Sequence, residues 1–253
     1  MCQKGVLVAT DQNTEWLLPW WWGRYSASNS FPVAFVDFGM SEEKKLWCKE
    51  RGTLIPLEKV PVEKQVPQEL YTEWQQVYGM SYANSRKAWF KKPLACTLSP
   101  FEKTIWLDLD CEVLDHIGSL FDLLKEGKEI AVAAGSLAYI PKGLEKAVEA
   151  DCVCCSGVIV FCKESLIIQK WAERAFSESD QHWGDDSLLS VIISESPEVV
   201  EELSKIYNWR VSREGLPLSA KIIHWCGEWG KECIAKHGGL KLALDRIRFG
   251  VEK

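Results

Sequence analysis

Short apolar runs rich in Val, Ile and Leu recur along the chain, and most are followed by longer stretches whose apolar residues return at helical spacing. The runs at 5–9, 32–38, 53–57, 103–107, 130–134, 157–161 and 221–224 read as strands, being short and bounded by polar, Gly or Pro residues. Helical patterns occupy 15–25, 41–51, 85–98, 164–176 and 187–194. Ser41 is placed to cap the second of these helices and Gly52 to end it, and Pro93 predicts a break in the third. Repeated strand-then-helix units predict a mainly parallel sheet with helices packed on it, an α/β architecture. The stretch 58–71, with Pro61, Pro67 and mixed charge, reads as an excursion. Without a repeat or a Gly/Ser linker, residues 1–253 read as one domain.

Composition narrows the functional classes. Lys and Arg number 30 against 36 Asp and Glu, a net charge of −6, and no basic tract invites nucleic acid. The longest apolar run, around 153–161, falls far short of the ~20 residues a membrane helix needs, so no transmembrane segment is expected. The chain enters its first strand at Gly5 without the basic and apolar regions of a signal peptide, which predicts a cytoplasmic location. In a reducing compartment, ten Cys in a chain able to build its own core read as small buried apolar residues. Cys152, Cys154 and Cys155 lack a second CxxC or a CxxH, so no zinc is expected there. Trp is abundant, at 13, and Trp20, Trp21 and Trp22 are consecutive. No helix or strand buries three successive residues on one face, so two are expected in the core and one over a surface. Trp faces also suit sugar rings and nucleobases.

The strongest chemical signal is Ile105-Trp-Leu-Asp108-Leu-Asp110-Cys-Glu112. An apolar strand here delivers two carboxylates at i and i+2, at the edge where open α/β sheets bind ligands. Two like charges this close call for a cation, and hard divalent ions take such oxygen ligands. A DxD motif also carries the nucleophile of haloacid dehalogenase-type phosphatases, but there it sits on the first strand, and here Glu112 occupies the position four residues on. Near the C-terminus stands Ile222-Ile-His224-Trp-Cys-Gly227, followed by Lys231. A His closing a strand offers a third metal ligand, Gly admits close backbone approach to a phosphate, and Lys supplies a positive partner.

With these pieces in order, the sequence resembles the glycosyltransferase A (GT-A) fold and, within it, glycosyltransferase family 8, which includes glycogenin and bacterial lipopolysaccharide galactosyltransferases. Val6-Leu-Val-Ala-Thr10-Asp11 is similar to the first strand and nucleoside loop, and Lys92-Pro-Leu-Ala to the basic residue and helix before the DxD. Cys155-Ser-Gly157-Val resembles the family's Asn-Ala-Gly-Val strand, Gly184-Asp185-Asp186 its Asp-Gln-Asp helix start, and His224-x-x-Gly227 with Lys231 its closing element. Cys155 stands where the family usually has Asn, and Asp186 where it has Gln. His182-Trp-Gly-Asp-Asp186 is also similar to a Trp-Gly-x-Glu-Asp pattern of inverting relatives. The Trp-rich 15–22 segment looks like bacterial members of the superfamily.

The resemblance implies a three-layer α/β/α GT-A fold with a mixed, mostly parallel sheet. It also implies transfer of a hexose from a UDP-sugar to an unknown glycan, lipid or protein acceptor, with Mn²⁺ or Mg²⁺ and with retention. Asp108, Asp110 and His224 would hold the metal, and Asp108 the ribose as well. Lys92 and Lys231 would neutralise phosphate, Gly227 would approach it, and Thr10 and Asp11 would seat the nucleoside. Asp185 and Asp186 would hold sugar hydroxyls and face the reacting carbon. The alternative is a non-catalytic nucleotide-sugar or sugar-binding protein on the same fold.

Overall fold

The computed structural model describes residues 3–58, 60, 64–78, 82–135, 148, 153–211 and 219–240. The first apolar run forms β1 (Lys4–Thr10), which pairs in parallel with β2 (Val33–Asp37) on one side and β4 (Lys103–Leu107) on the other. β3 (Thr53–Pro56) extends the parallel half beyond β2. β7 (Cys154–Cys162) runs antiparallel between β4 and β6 (Ile130–Ala134), and β8 (Val200–Glu202) lies parallel to β6. Among the described residues this gives one seven-stranded sheet in the order β3-β2-β1-β4-β7-β6-β8.

Alternation along the central strands builds two cores. Val6, Val8, Ile105, Leu107, Val158 and Val160 face one cluster, which includes Leu18 and Trp21 of α1 (Leu18–Tyr25). Leu7, Trp106, Ile159 and Phe161 face the other, which is filled from α5 (Lys92–Thr97), α6 (Leu166–Glu178) and α7 (Asp185–Ser194). With helices on both faces of a mixed sheet, the three-layer α/β/α expectation holds. α2 (Glu42–Lys49) begins at Ser41, whose hydroxyl accepts from the Lys44 N–H at 3.3 Å. Pro93 does divide the third helical pattern. α4 (Tyr82–Trp89) ends before it, and Pro93 sits in the first turn of α5, where its missing N–H costs no helix bond. α3 (Gln68–Tyr78) begins inside the 58–71 excursion. Trp21 alone of the Trp triplet is fully buried, stacked on Tyr25 at 5.1 Å, whereas Trp20 and Trp22 pack half-buried on the same cluster. Successive helical residues diverge by about 100°, so one face takes only one of three.

The run expected as a last short strand forms one, outside the main sheet. β9 (Ile222–His224) joins β5 (Cys111–Val113) in a separate antiparallel ladder that sets Cys111 opposite His224. A further helix, α8 (Gly227–His237), follows β9. The fully buried Glu112 pins this ladder to its surroundings. It pairs with Arg24 at 3.3 Å and accepts from Trp225 Nε1 at 3.0 Å and from the Leu240 N–H at 2.8 Å. No helix among the described residues is long and apolar enough to cross a membrane.

Candidate active site

Four elements meet at the end of β4. Asp108 leaves the strand with its N–H bonded to Gly157 C=O on β7 at 2.9 Å, and Cys111 N–H bonds back to Asp108 C=O at 3.0 Å. That turn presents Asp108 and Asp110 before β5 begins. The β5–β9 ladder, with Trp225 N–H bonded to Asp110 C=O at 2.9 Å, brings His224 beside them. His224 Nε2 lies 3.3 Å from Asp110 Oδ1 and 3.8 Å from Asp108 Oδ2.

The orientation of His224 is fixed from its far side. Asn208 donates its amide N–H to Cys155 C=O at 3.1 Å, which leaves Asn208 Oδ1 to accept from His224 Nδ1, also at 3.1 Å. With a proton on Nδ1, Nε2 faces the carboxylates. Gly157 makes the close packing possible, because a Cβ there would lie 2.2 Å from His224 Cε1. Cys155 Sγ also contacts His224 Nδ1, at 3.6 Å.

Two lysines also bond the carboxylates, Lys231 on Asp110 and Lys92 on Asp108. Lys231 donates to Asp110 Oδ2 at 2.8 Å. Lys92 lies 3.0 Å from Asp108, 3.1 Å from Asp185 Oδ2 and 2.9 Å from Ser156 Oγ, and Ser156 Oγ in turn donates to Asp185 at 2.7 Å. Trp106 Nε1 donates to Asp108 Oδ1 at 2.7 Å. The sheet edge, α5, β7 and the first turn of α7 are thus joined through one buried ammonium. The loop entering α7 is held from α4, where Tyr82 donates to Trp183 C=O at 2.8 Å and Arg86 bonds the carbonyls of Ser179 and His182.

The network sets the charges. Burial disfavours the Asp110 carboxylate, but Lys231 and His224 outweigh it and hold that carboxyl well below its ordinary range. Burial, with Asp110 and Asp185 nearby, raises Asp108 despite Lys92. Burial opposes charge on His224, yet Cys111 and Asp110 hold the imidazole well above its usual value. Burial also opposes charge on Lys92, but Asp108 and Asp185 keep it firmly protonated. Cys155 is pulled down to about 7, because His224 outweighs the burial that would raise it.

The structure brings Asp108, Asp110, His224, Lys92, Lys231 and Asp185 together. Both lysines point at carboxylates here, so their positive charge serves first to stabilise the acidic cluster. Thr10 and Asp11 stand apart from this network, at the end of β1. Asp11 Oδ1 accepts from Asn13 N–H at 3.0 Å and Thr14 N–H at 3.2 Å, and Thr10 Oγ1 contacts Thr14 Oγ1 at 2.8 Å. On the same sheet edge, Asp37, Phe38, Gly39, Pro56, Leu57 and Val60 line a hollow of about 260 Å³. Gly227 adopts φ +82°, which favours glycine, in the first turn of α8. Asp186 lies beside Asp185 with its Oδ1 buried and without a hydrogen-bond partner among the described residues. Cys154 faces Ser190 rather than the His224 side, and Cys152 lies outside the described residues. Asn208, Trp106 and the positioning role of Ser156 were missed from sequence. Asn208 sits after a short 3₁₀ turn and belongs to no motif.

A divalent metal fits these residues. Asp110 Oδ1 and Asp108 Oδ2 both face His224 Nε2, with Lys231 on the other oxygen of Asp110 and Trp106 on the other oxygen of Asp108, while Lys92 also donates to Asp108 Oδ2 at 3.0 Å. An O,O,N donor set, with the imidazole oriented by Asn208, suits Mn²⁺ or Mg²⁺. The Cys111 thiol belongs to the same buried group as Asp110 and His224.

No protein-family model and no curated protein matches the sequence. The fold nevertheless has counterparts among solved structures. The galactosyltransferase LgtC, solved with donor and acceptor sugar analogues, superposes with a TM-score of 0.65 over 95% of both chains at 14% identity. The glycosyltransferase GlyE of Streptococcus pneumoniae gives 0.58 at 17% identity over 90% of this chain, which spans only 55% of GlyE. Mouse xyloside xylosyltransferase 1 gives 0.54 at 15% identity, over 88% of this chain and 97% of that one. The chain therefore has a glycosyltransferase A fold.

Proposed function

We propose that the protein is a metal-dependent glycosyltransferase that moves a hexose from a UDP-sugar to a glycan, lipid or protein acceptor, with retention, in the cytoplasm. The reading rests on one observation above all. Asp108, Asp110 and His224 converge at the ligand-binding edge of a glycosyltransferase fold, and Lys92 ties them to Asp185. Asp108, Asp110 and His224 hold Mn²⁺ or Mg²⁺, which when bound supplies Lewis-acid stabilisation to the departing diphosphate. Thr10 and Asp11, with the hollow beside Asp37, seat the nucleoside. Lys231 and Lys92 offset phosphate charge while keeping the carboxylates ionised, and Gly227 lets backbone approach the diphosphate. Asp185 and Asp186 hold sugar hydroxyls and face the reacting carbon, where a carboxylate stabilises positive character. The order of Lys92, the Asp108/Asp110 pair, Ser156-Gly157 and His224-x-x-Gly227 favours retention.

The test is UDP-sugar hydrolysis and transfer by purified protein with and without Mn²⁺, alongside Asp110→Ala. Metal-dependent turnover that Asp110→Ala abolishes in a folded protein supports the reading. UDP binding without turnover of any donor points instead to a nucleotide-sugar-binding protein. The anomeric configuration of the first-formed product, read by NMR, tests retention.

A further inference from the structure

Asp185 and Asp186 are adjacent acids on the first turn of α7, yet their surroundings differ sharply. Asp185 receives a proton donor from Ser156 Oγ at 2.7 Å and the Lys92 ammonium at 3.1 Å. Asp186 is half-buried, and its Oδ1 is shut off from solvent without a hydrogen-bond partner among the described residues. An ionised carboxylate has about four acceptor sites to satisfy, and leaving a buried charge unpaired costs more than losing a neutral hydrogen bond. Lys92, the cation that acts on Asp186 among the described residues, is already committed to Asp108, Asp185 and Ser156. Two carboxylates side by side, with one claiming the cation, cannot both ionise cheaply.

We propose that Asp186 works in the folded protein as a neutral carboxylic acid, whereas Asp185 is the anion of the pair. This deepens the glycosyltransferase reading and rests on it for the ligand. A protonated Asp186 offers one O–H donor and one C=O acceptor, as an amide would, and so suits a sugar hydroxyl, which both donates and accepts. The residue that the resemblance places there is Gln, whose amide presents the same pair of functions.

The charged and titratable groups facing Asp186 agree. From α7 comes the Asp185 carboxylate, from β7 the Cys155 and Cys154 thiols, and from α5 the Lys92 ammonium. Burial first, then Asp185 and Cys155, push the Asp186 carboxyl well above its ordinary range, while Lys92 and the Ser187 backbone N–H pull weakly the other way.

The test compares wild type with Asp186→Asn by urea denaturation across the acid-to-neutral range. An acid that stays protonated on folding takes up a proton that its unfolded form has lost, so folding weakens as pH rises above about 4. Asparagine has no such proton. The ratio of the wild-type folding constant to that of Asp186→Asn should therefore fall by up to tenfold per pH unit over this window. Parallel pH profiles would mean an ionised Asp186 and overturn the proposal. If Asp186→Asn does not fold, Asp186→Ser provides the same comparison. Infrared difference spectra at neutral pH between wild type and whichever variant folds give an independent readout. Loss of a protonated-carboxyl C=O band in the variant supports the proposal, and its absence from wild type refutes it. Neither measurement involves donor or metal, so a failure of the glycosyltransferase reading would show separately, in the UDP-sugar assay.

Discussion

Replacing Lys92 with Met removes one ammonium and leaves the shape nearly unchanged. Lys92 is 4% exposed and meets two carboxylates and both oxygens of Ser156. The Asp185 side chain is 5% exposed and that of Asp108 is 25% exposed. Removing one partner of a buried pair typically costs about 3–5 kcal/mol, because the remaining charge stays buried. Methionine fills much of the same volume, so a cavity adds little. Partial solvation of Asp108 discounts the figure, and we expect about 3 kcal/mol at neutral pH, at the low end of that range. For a chain of this size that lowers Tm by roughly 6–12 °C. The deficit should also depend on pH. Asp108 already sits above its ordinary range through burial and its acidic neighbours, and without Lys92 it rises further. A carboxyl raised in the folded state loses stability as pH rises through the window above its unfolded value of about 4, so the deficit grows with pH and shrinks in acid. Urea denaturation of both proteins at about pH 5 and about pH 7 measures it. A loss below about 1 kcal/mol, or one that is the same at both pH values, would refute the view that Lys92 compensates buried carboxylates.

Three other outcomes are expected. Gly157→Ala places a Cβ 2.2 Å from the His224 ring, so it should cost about 1–3 kcal/mol and weaken Mn²⁺ binding by about 10–100-fold; calorimetry with unchanged affinity contradicts the packing role. His224 is held protonated in the metal-free protein, since Cys111 and Asp110 outweigh its burial, and that proton must leave before Nε2 binds metal. Mn²⁺ affinity should therefore rise with pH by up to tenfold per unit between about 6 and 8, with proton release seen in buffers of different ionisation enthalpy, and a flat profile argues against His224 as a ligand. Glu112→Ala strips the buried partner from Arg24, Trp225 and Leu240 and should cost about 3–5 kcal/mol; thermal unfolding within a degree or two of wild type would show that this carboxylate does not anchor the β5–β9 ladder.

Local pattern was enough to read much of this protein. Val6 and Val8 alternate with Leu7, and Ile105 and Leu107 with Trp106, so the strands and their two buried faces were legible, as were Ser41 as a cap and Pro93 as a break. The acidic pair was legible as the residues following an apolar strand and His224 as the residue closing another, although a turn, rather than strand alternation, presents Asp108 and Asp110. Other features depended on contacts between distant segments. β7 is buried on eight of its nine residues, and a strand covered on both faces carries no alternation to reveal its direction or its neighbours. The pairing of β5 with β9 joins Cys111 to His224 across nearly half of the chain, and three-residue strands are too short to announce a partner. Asn208 orients His224, and Lys92 and Lys231 turn to carboxylates, only because packing brings those groups within hydrogen-bond reach. Residue type and spacing decide which groups a segment can offer, but the charge each group carries depends on neighbours that only the tertiary structure supplies.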